Sequence, residues 1–328
     1  AMRKLLLGTT ALAAAATLST NAALADVSIA GSYEFTYASR SSQITSLDGT
    51  TMGHGDTDMV VTFSNKTDSG LDLSFRYDIG AVESSDQALE GDEASLSISG
   101  GFGKIVLGTD DDASDAYELD EMDLVSEEPT SSHASASIGQ TSGVSSTDAM
   151  KIAYHLPAMG GLTSGISFAD SGAAGGSDKT TYGVRYGLSA GGADVTIGYA
   201  ANSTEATAVD IDESNMAVKV VSGDISLILS KGKYEASDED RDNTGVSVSF
   251  AMPNGMTLGA YTFKSEDDLD VGEKFTRTGA EVEYSIASGL TAYVNMDDYD
   301  YEVTAANHEG TPTADNGTIT QLTIQATF

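Results

Sequence analysis

From residue 26 onward, apolar and polar side chains alternate one by one over stretch after stretch of the chain. The clearest case is 71–81, where Leu71, Leu73, Phe75, Tyr77 and Ile79 share one face and Asp72, Ser74, Arg76 and Asp78 the other. A period of two is the mark of a β-strand with one apolar face. Residues 26–38 repeat it, with Val27, Ile29, Tyr33, Phe35 and Tyr37 against Ser28, Ser32, Glu34 and Thr36. The same rhythm predicts strands over 58–66, 95–99, 104–109, 149–156, 162–168, 180–188, 193–201, 215–221, 225–234, 244–252, 256–264, 275–286, 290–301 and 318–328. With the first two this makes sixteen strands. The joints between them alternate in kind: tight glycine-bearing turns such as 67–70, 189–192 and 287–289, then longer acidic loops such as 201–214, 235–243, 265–274 and 302–317.

One stretch breaks the rhythm. Gly100, Gly101 and Gly103 reverse the chain around Phe102, and after the short strand 104–109 no strand pattern returns until about residue 149. This segment carries Asp110, Asp111, Asp112, Asp115, Glu118, Asp120, Glu121 and Asp123, then Glu127 and Glu128. Loops of this length inside a compact domain are usually functional.

At the N-terminus, Arg3 and Lys4 precede an apolar stretch ending at Ala23-Leu24-Ala25, the layout of a cleaved secretory signal. Residues 1–25 are expected to be that signal and 26–328 a single β domain, since no Pro-rich or low-complexity linker divides the chain. The apolar stretch is interrupted by Thr9, Thr10, Thr17 and Ser19, and is short of the roughly 20 apolar residues a membrane helix needs. A chain of this kind that enters a membrane does so as a closed barrel, because lipid offers no partner for an unpaired backbone group.

Composition narrows the chemistry. There is no cysteine, so disulfides and thiolate ligation are excluded. With 50 acidic against 16 basic side chains the net charge is −34, which argues against nucleic acid as a partner. The four histidines, His54, His133, His155 and His308, are scattered, and neither a Ser-His-Asp arrangement nor H-E-x-x-H is present, so no enzyme is predicted. An apolar content of 40% in regular alternation excludes a disordered acidic tail.

Gly101, Phe102, Gly103, Lys104 and Ile105 match the G-x-F-G-x-[LIV] turn that precedes the third extracellular loop of the general diffusion porins of Gram-negative outer membranes, and the chain resembles that family. The terminal Phe328, sharing a face with Leu322, Ile324 and Ala326, and the signal followed by alternating strands are similar to it too. The family's usual Gly-Arg pair is here Gly108-Thr109. The signal and the lack of tryptophan look most like alphaproteobacterial members. The resemblance implies an all-β, 16-stranded antiparallel transmembrane β-barrel with short periplasmic turns, long extracellular loops and an acidic third loop folded inward. It further implies a homotrimer in contact with outer-membrane lipid and lipopolysaccharide, and a water-filled channel for passive diffusion.

Strand parity then assigns faces. Leu73, Phe75, Ile98, Ile152, Val184, Ile197, Val218, Leu227, Val248, Val282 and Val294 are expected to face lipid, with Tyr37, Tyr77, Tyr154, Tyr186, Tyr199, Tyr284 and Phe328 in aromatic girdles. The opposite parity holds Arg76, Lys151, Arg185, Lys219 and Arg277. By resemblance these would form a basic wall facing the acidic loop, with Asp110 to Asp123 as the constriction. The alternative for the cations is scattered pairing with acids such as Asp72, Asp78 and Glu281. The acid excess points to a preference for cations among small hydrophilic solutes. Asp110, Asp111, Asp112 and Asp115 together offer enough oxygens for a calcium ion, though no cofactor is required. A rival class is a surface-exposed structural barrel or adhesin with a plugged lumen.

Overall fold

The computed structural model describes residues 25–44, 47–55, 57–81, 89–125, 141–170, 177–205, 209–237, 239–268, 273–303 and 314–328. Residues 1–24 of the expected signal and Glu127, Glu128, His133 and His308 lie outside the described residues. Strand segments follow one another in the order β1 (Asp26–Ser42), β2 (Gly49–His54), β3 (Asp58–Lys66), β4 (Asp72–Ala81), β5 (Leu89–Gly100), β6 (Gly103–Thr109), β7 (Met150–His155), β8 (Leu162–Asp170), β9 (Asp178–Ala190), β10 (Ala193–Glu205), β11 (Ile211–Ser222), β12 (Ile225–Glu235), β13 (Asp240–Ala251), β14 (Met256–Asp267), β15 (Lys274–Ala287), β16 (Leu290–Glu302) and β17 (Asp315–Thr327). Every neighbour pair is antiparallel, and β17 returns to β1 from Ser32↔Thr327 to Ser42↔Gly317, so the sheet closes on itself. The terminal Phe328 donates its N–H to Gly31 O at 2.9 Å and seals the seam.

β2 and β3 are one strand with a break. β1 pairs with β2 through residues 35–40 and with β3 through residues 26–31, so the two segments occupy a single place in the ring, which is therefore sixteen-stranded. All sixteen predicted strands are present, but most run further toward the long-loop end. Residues 39–56, which fall between the predicted strands 26–38 and 58–66, contain the end of β1 and all of β2. Those extensions carry Ser, Thr, Gly and Asp on both faces, and beyond the lipid no apolar face is required of a strand.

Outward parity matches the expected apolar band. Phe75, Ile152, Ile197, Leu227, Val248, Val282 and Val294 stand exposed on the outer surface, as do Tyr37, Tyr77, Tyr186, Tyr284 and Phe328. Such exposure would be a liability in water and is the requirement for contact with hydrocarbon. Inside, polar residues dominate among the described residues, with apolar clusters of Val106, Ala113 and Ala153, of Leu119, Ala217 and Ile228, and, at the long-loop end of β14–β17, of Phe263, Phe275, Tyr299, Tyr301 and Ile319.

Candidate functional site

Gly108 starts the acidic loop. Its φ is +133°, and a Cβ there would lie 2.2 Å from Ala94 O, so only glycine fits. The next residue, Thr109, accepts the Ala94 N–H at 2.6 Å, in the place the resemblance reserves for arginine. The outgoing limb then enters the barrel. A 3-10 turn at Asp115–Tyr117 lies on β8, β9 and β10, and a second at Glu121–Leu124 lies on β12, β13 and β14. The second is capped at both ends of its first turn: Asp120 Oδ1 accepts Met122 N–H at 2.8 Å and Asp123 Oδ2 accepts Asp120 N–H at 3.2 Å.

The wall beneath is cut away to receive the loop. A Cβ added to Gly183 would lie 2.7 Å from Tyr117 Cβ, one on Gly198 2.9 Å from Tyr117 O, and one on Gly245 1.9 Å from Glu121 Oε2. Gly165 and Gly259 make similar approaches to Tyr117 and Val125. These inward glycines form a track across five strands. Sequence reading passed over them because a glycine breaks no alternation; five in-phase glycines on the polar face were the available signal.

Polar anchors hold the loop to this track. Asp112 is bracketed by Lys151 and Lys179, each 2.7 Å from one of its oxygens, with side-chain exposures of 1%, 0% and 8% respectively. Ala113 N–H donates to Ser167 Oγ at 3.0 Å, and the Tyr117 hydroxyl pairs with His155 Nδ1 at 2.8 Å. The returning limb, 141–148, is tied between outgoing limb and wall: Val144 N–H donates to Glu118 at 2.8 Å, Lys179 to Ser145 O at 2.8 Å and Asn215 to Ser142 O at 2.8 Å. Glu121 is fully buried, accepting from Ser142 Oγ at 2.6 Å, Ser142 N–H at 3.1 Å and Ser230 Oγ at 2.9 Å. Lys179, Asn215 and Ser230 were not singled out from sequence.

The eight loop acids therefore differ in kind. Asp111, Asp115 and Asp123 are exposed, Asp110, Glu118 and Asp120 half-buried, and Asp112 and Glu121 buried. Burial pushes Glu118 up to about 8 against the pull of the Val144 N–H, with Asp120, Asp115 and Asp123 adding repulsion. Asp120 is pushed up to about 7 by burial and then by Glu121 and Asp123. Asp115 and Glu121 rise also, burial being the first cause in each.

The five predicted wall cations all face inward but do not share one neighbourhood. Lys151 and Arg185 lie under the loop, the first paired with Asp112 and the second donating to the backbone carbonyl of Glu118. Lys219, on β11, sits between Thr196 and Ile228. Arg277 is buried against Asp297 Oδ2 and the Tyr261 hydroxyl, both at 2.8 Å. Arg76, on β4, is the farthest along the ring from the track, its side chain 40% exposed and bonded to Glu93 at 2.5 Å and Asp78 at 2.6 Å. Nor do Asp110, Asp111, Asp112 and Asp115 converge as a calcium cage would need. Asp112 is spent on two lysines, and the carboxylates of described residues that do gather, within 4.8 Å of one another, are Glu93, Asp110 and Asp111.

Three comparisons bear on this arrangement. In solved structures, the fold matches an anion-selective porin from Comamonas acidovorans (TM-score 0.68, 15% identity, covering 93% of this chain and 100% of that one). It also matches the trimer form of OmpT from Vibrio cholerae (TM-score 0.66, 15% identity, 93% and 99%) and a mutant of the Rh. blastica porin (TM-score 0.64, 17% identity, 92% and 100%). Among curated proteins there is no match. A family profile described as Gram-negative porin matches residues 8–304, and with a closed sixteen-stranded barrel and a loop laid across its interior, the chain belongs to the Gram-negative porin family and is a channel of the outer membrane.

Proposed function

We propose that this porin passes ions and small hydrophilic solutes by passive diffusion, prefers cations, and works as a homotrimer after loss of residues 1–25. The observation that carries the preference is the distribution of charge around the loop. Its lumen edge exposes Asp111, Asp115 and Asp123, while Arg76, Lys151 and Arg277 each have a carboxylate against them. An entering cation meets uncompensated acids, and an entering anion meets three cations already countered by carboxylates, with Lys219 and Arg185 the two of the five that have no ion pair among the described residues. The Comamonas porin is anion-selective on the same fold, so the fold leaves the sign open and the lining residues have to supply it.

The outer ends of the strands would sit among the polar headgroups of outer-membrane lipid and lipopolysaccharide, above the apolar band. Calcium is no part of this reading, since the aspartate set expected to hold it is divided between ion pairs and solvent.

Single-channel recording in a planar bilayer under a salt gradient tests the proposal. Conductance steps in groups of three with a cation-favouring reversal potential are expected. Silence from folded protein, with no solute-size-dependent uptake into liposomes, would instead favour a plugged structural barrel, toward which the buried inward cluster of β14–β17 leans.

A further inference from the structure

We propose that Glu93 is a selectivity-determining residue, a carboxylate that masks Arg76, a wall cation whose side chain is open to the lumen; the proposal rests on the cation-preferring reading above. Arg76 lies on β4, outside the strands that carry the loop, and its guanidinium is gripped from two sides. Nη1 donates to Glu93 Oε2 at 2.5 Å and Nη2 to Asp78 Oδ2 at 2.6 Å. A guanidinium recognises anions through this planar fork and its charge, and one countered by two carboxylates at this distance attracts a passing chloride or phosphate weakly.

The backbone is shaped to bring Glu93 there. The register between β4 and β5 slips by one residue: Tyr77 faces Ala94, whereas Ile79 faces Gly91. The extra residue makes a β-bulge at 92–93, a device that re-aims a side chain. Gly91 leaves room for the neighbouring ring, since a Cβ there would lie 2.6 Å from the Tyr77 hydroxyl. On the far side, one oxygen of Glu93 lies within 4.8 Å of oxygens of Asp110 and Asp111, where the acidic loop begins. Wall and loop therefore meet at a corner holding one guanidinium and four carboxyl groups. The corner presents acid on both sides, in place of a basic wall against an acidic loop. Removing the charge of Glu93 frees Nη1 toward the lumen and turns this wall toward positive. Removing Arg76 leaves the acids uncompensated.

The test is the zero-current potential of wild type, Glu93→Gln, Arg76→Gln and the double variant in a KCl gradient, with Asp115→Asn as a loop control. Heat-modifiable electrophoretic mobility checks folding. Recorded at pH 9, where the carboxyls are ionised, Glu93→Gln keeps shape and a hydrogen-bond acceptor while removing one charge. It is expected to lower the potassium-to-chloride permeability ratio by roughly two-fold or more, as a unit charge at a narrow section should. Arg76→Gln is expected to raise the ratio, and the double variant to return close to wild type. An unchanged ratio in Glu93→Gln, with Asp115→Asn lowering it, overturns the role of Glu93 and leaves the cation preference standing. A wild type that favours chloride, with neither acid variant moving it, overturns the cation preference and the role of Glu93 together. Should Glu93→Gln fail to fold, Arg76→Gln decides alone, because no rise in its ratio overturns the masking.

Discussion

Asp112 and Glu121 are both buried acids of one loop, and their surroundings give them opposite roles. Asp112 faces two lysines at 2.7 Å. Removing its charge strands both lysines out of water, and breaking a buried pair in this way typically costs about 3–5 kcal/mol. Asp112→Asn is therefore expected to unseat the loop, read as noisy, enlarged single-channel conductance in a barrel that still shows folded electrophoretic mobility. Glu121 has hydroxyls and an N–H for partners and no ion-paired cation among the described residues, and burial raises its pKa. Glu121→Gln should accordingly leave the reversal potential where it is and move conductance little. Gly245 makes a third case. Its missing Cβ would overlap the Glu121 carboxylate, so Gly245→Val overpacks the track by about 1–3 kcal/mol and should displace the loop as Asp112→Asn does, without any change of charge in the lumen.

The loop as an element titrates in the range where a cell lives. Glu118, pushed up to about 8, and Asp120, up to about 7, carry protons in the docked loop that they would lose when free in water. A carboxyl whose folded pKa is raised binds its proton more tightly when docked. Docking is therefore strongest at acid pH and weakens as pH climbs from the ordinary carboxylate range through about 7 to about 8. Two effects follow in the same direction of pH. Between pH 6 and pH 9 the lumen gains negative charge, so the cation-to-anion ratio should rise, and open-channel noise should rise with it. The double variant Glu118→Gln/Asp120→Asn should flatten the noise and lessen the rise in the ratio, and a ratio that falls with pH would contradict the assignment. Much of this element was visible in sequence, since the glycine turn, the acidic run and the absence of alternation up to 148 marked a long loop. Its path was not visible. Which wall it lies on depends on contacts between residues far apart in the chain, such as Asp112 with Lys179 and Glu121 with Ser230, and no local periodicity carries those. The same limit explains the wall cations: parity placed all five inward, but their distribution around the ring is a property of strand order and register.

Over the whole molecule, alternation was enough to read every strand because lipid on one side and water on the other impose opposite demands on neighbouring residues. Where both sides are aqueous, as from Ser39 through His54, the demand vanishes and so did the signal. The seam between β1 and β17 has a consequence for how the chain comes to exist. It joins Ser32 to Thr327, nearly the full length of the polypeptide, so the contact that completes the ring has close to the greatest sequence separation this chain permits. Chains dominated by such distant pairings fold slowly, because the entropy of closing the loop falls due before the pairing rewards it. Until the last strand arrives, β16 and β1 are open edges, and an open edge has no place in hydrocarbon. Deleting residues 315–328 should therefore yield no smaller barrel but an aggregating chain absent from the membrane fraction, and a chaperone that holds the unfinished ribbon in solution becomes a requirement of the architecture.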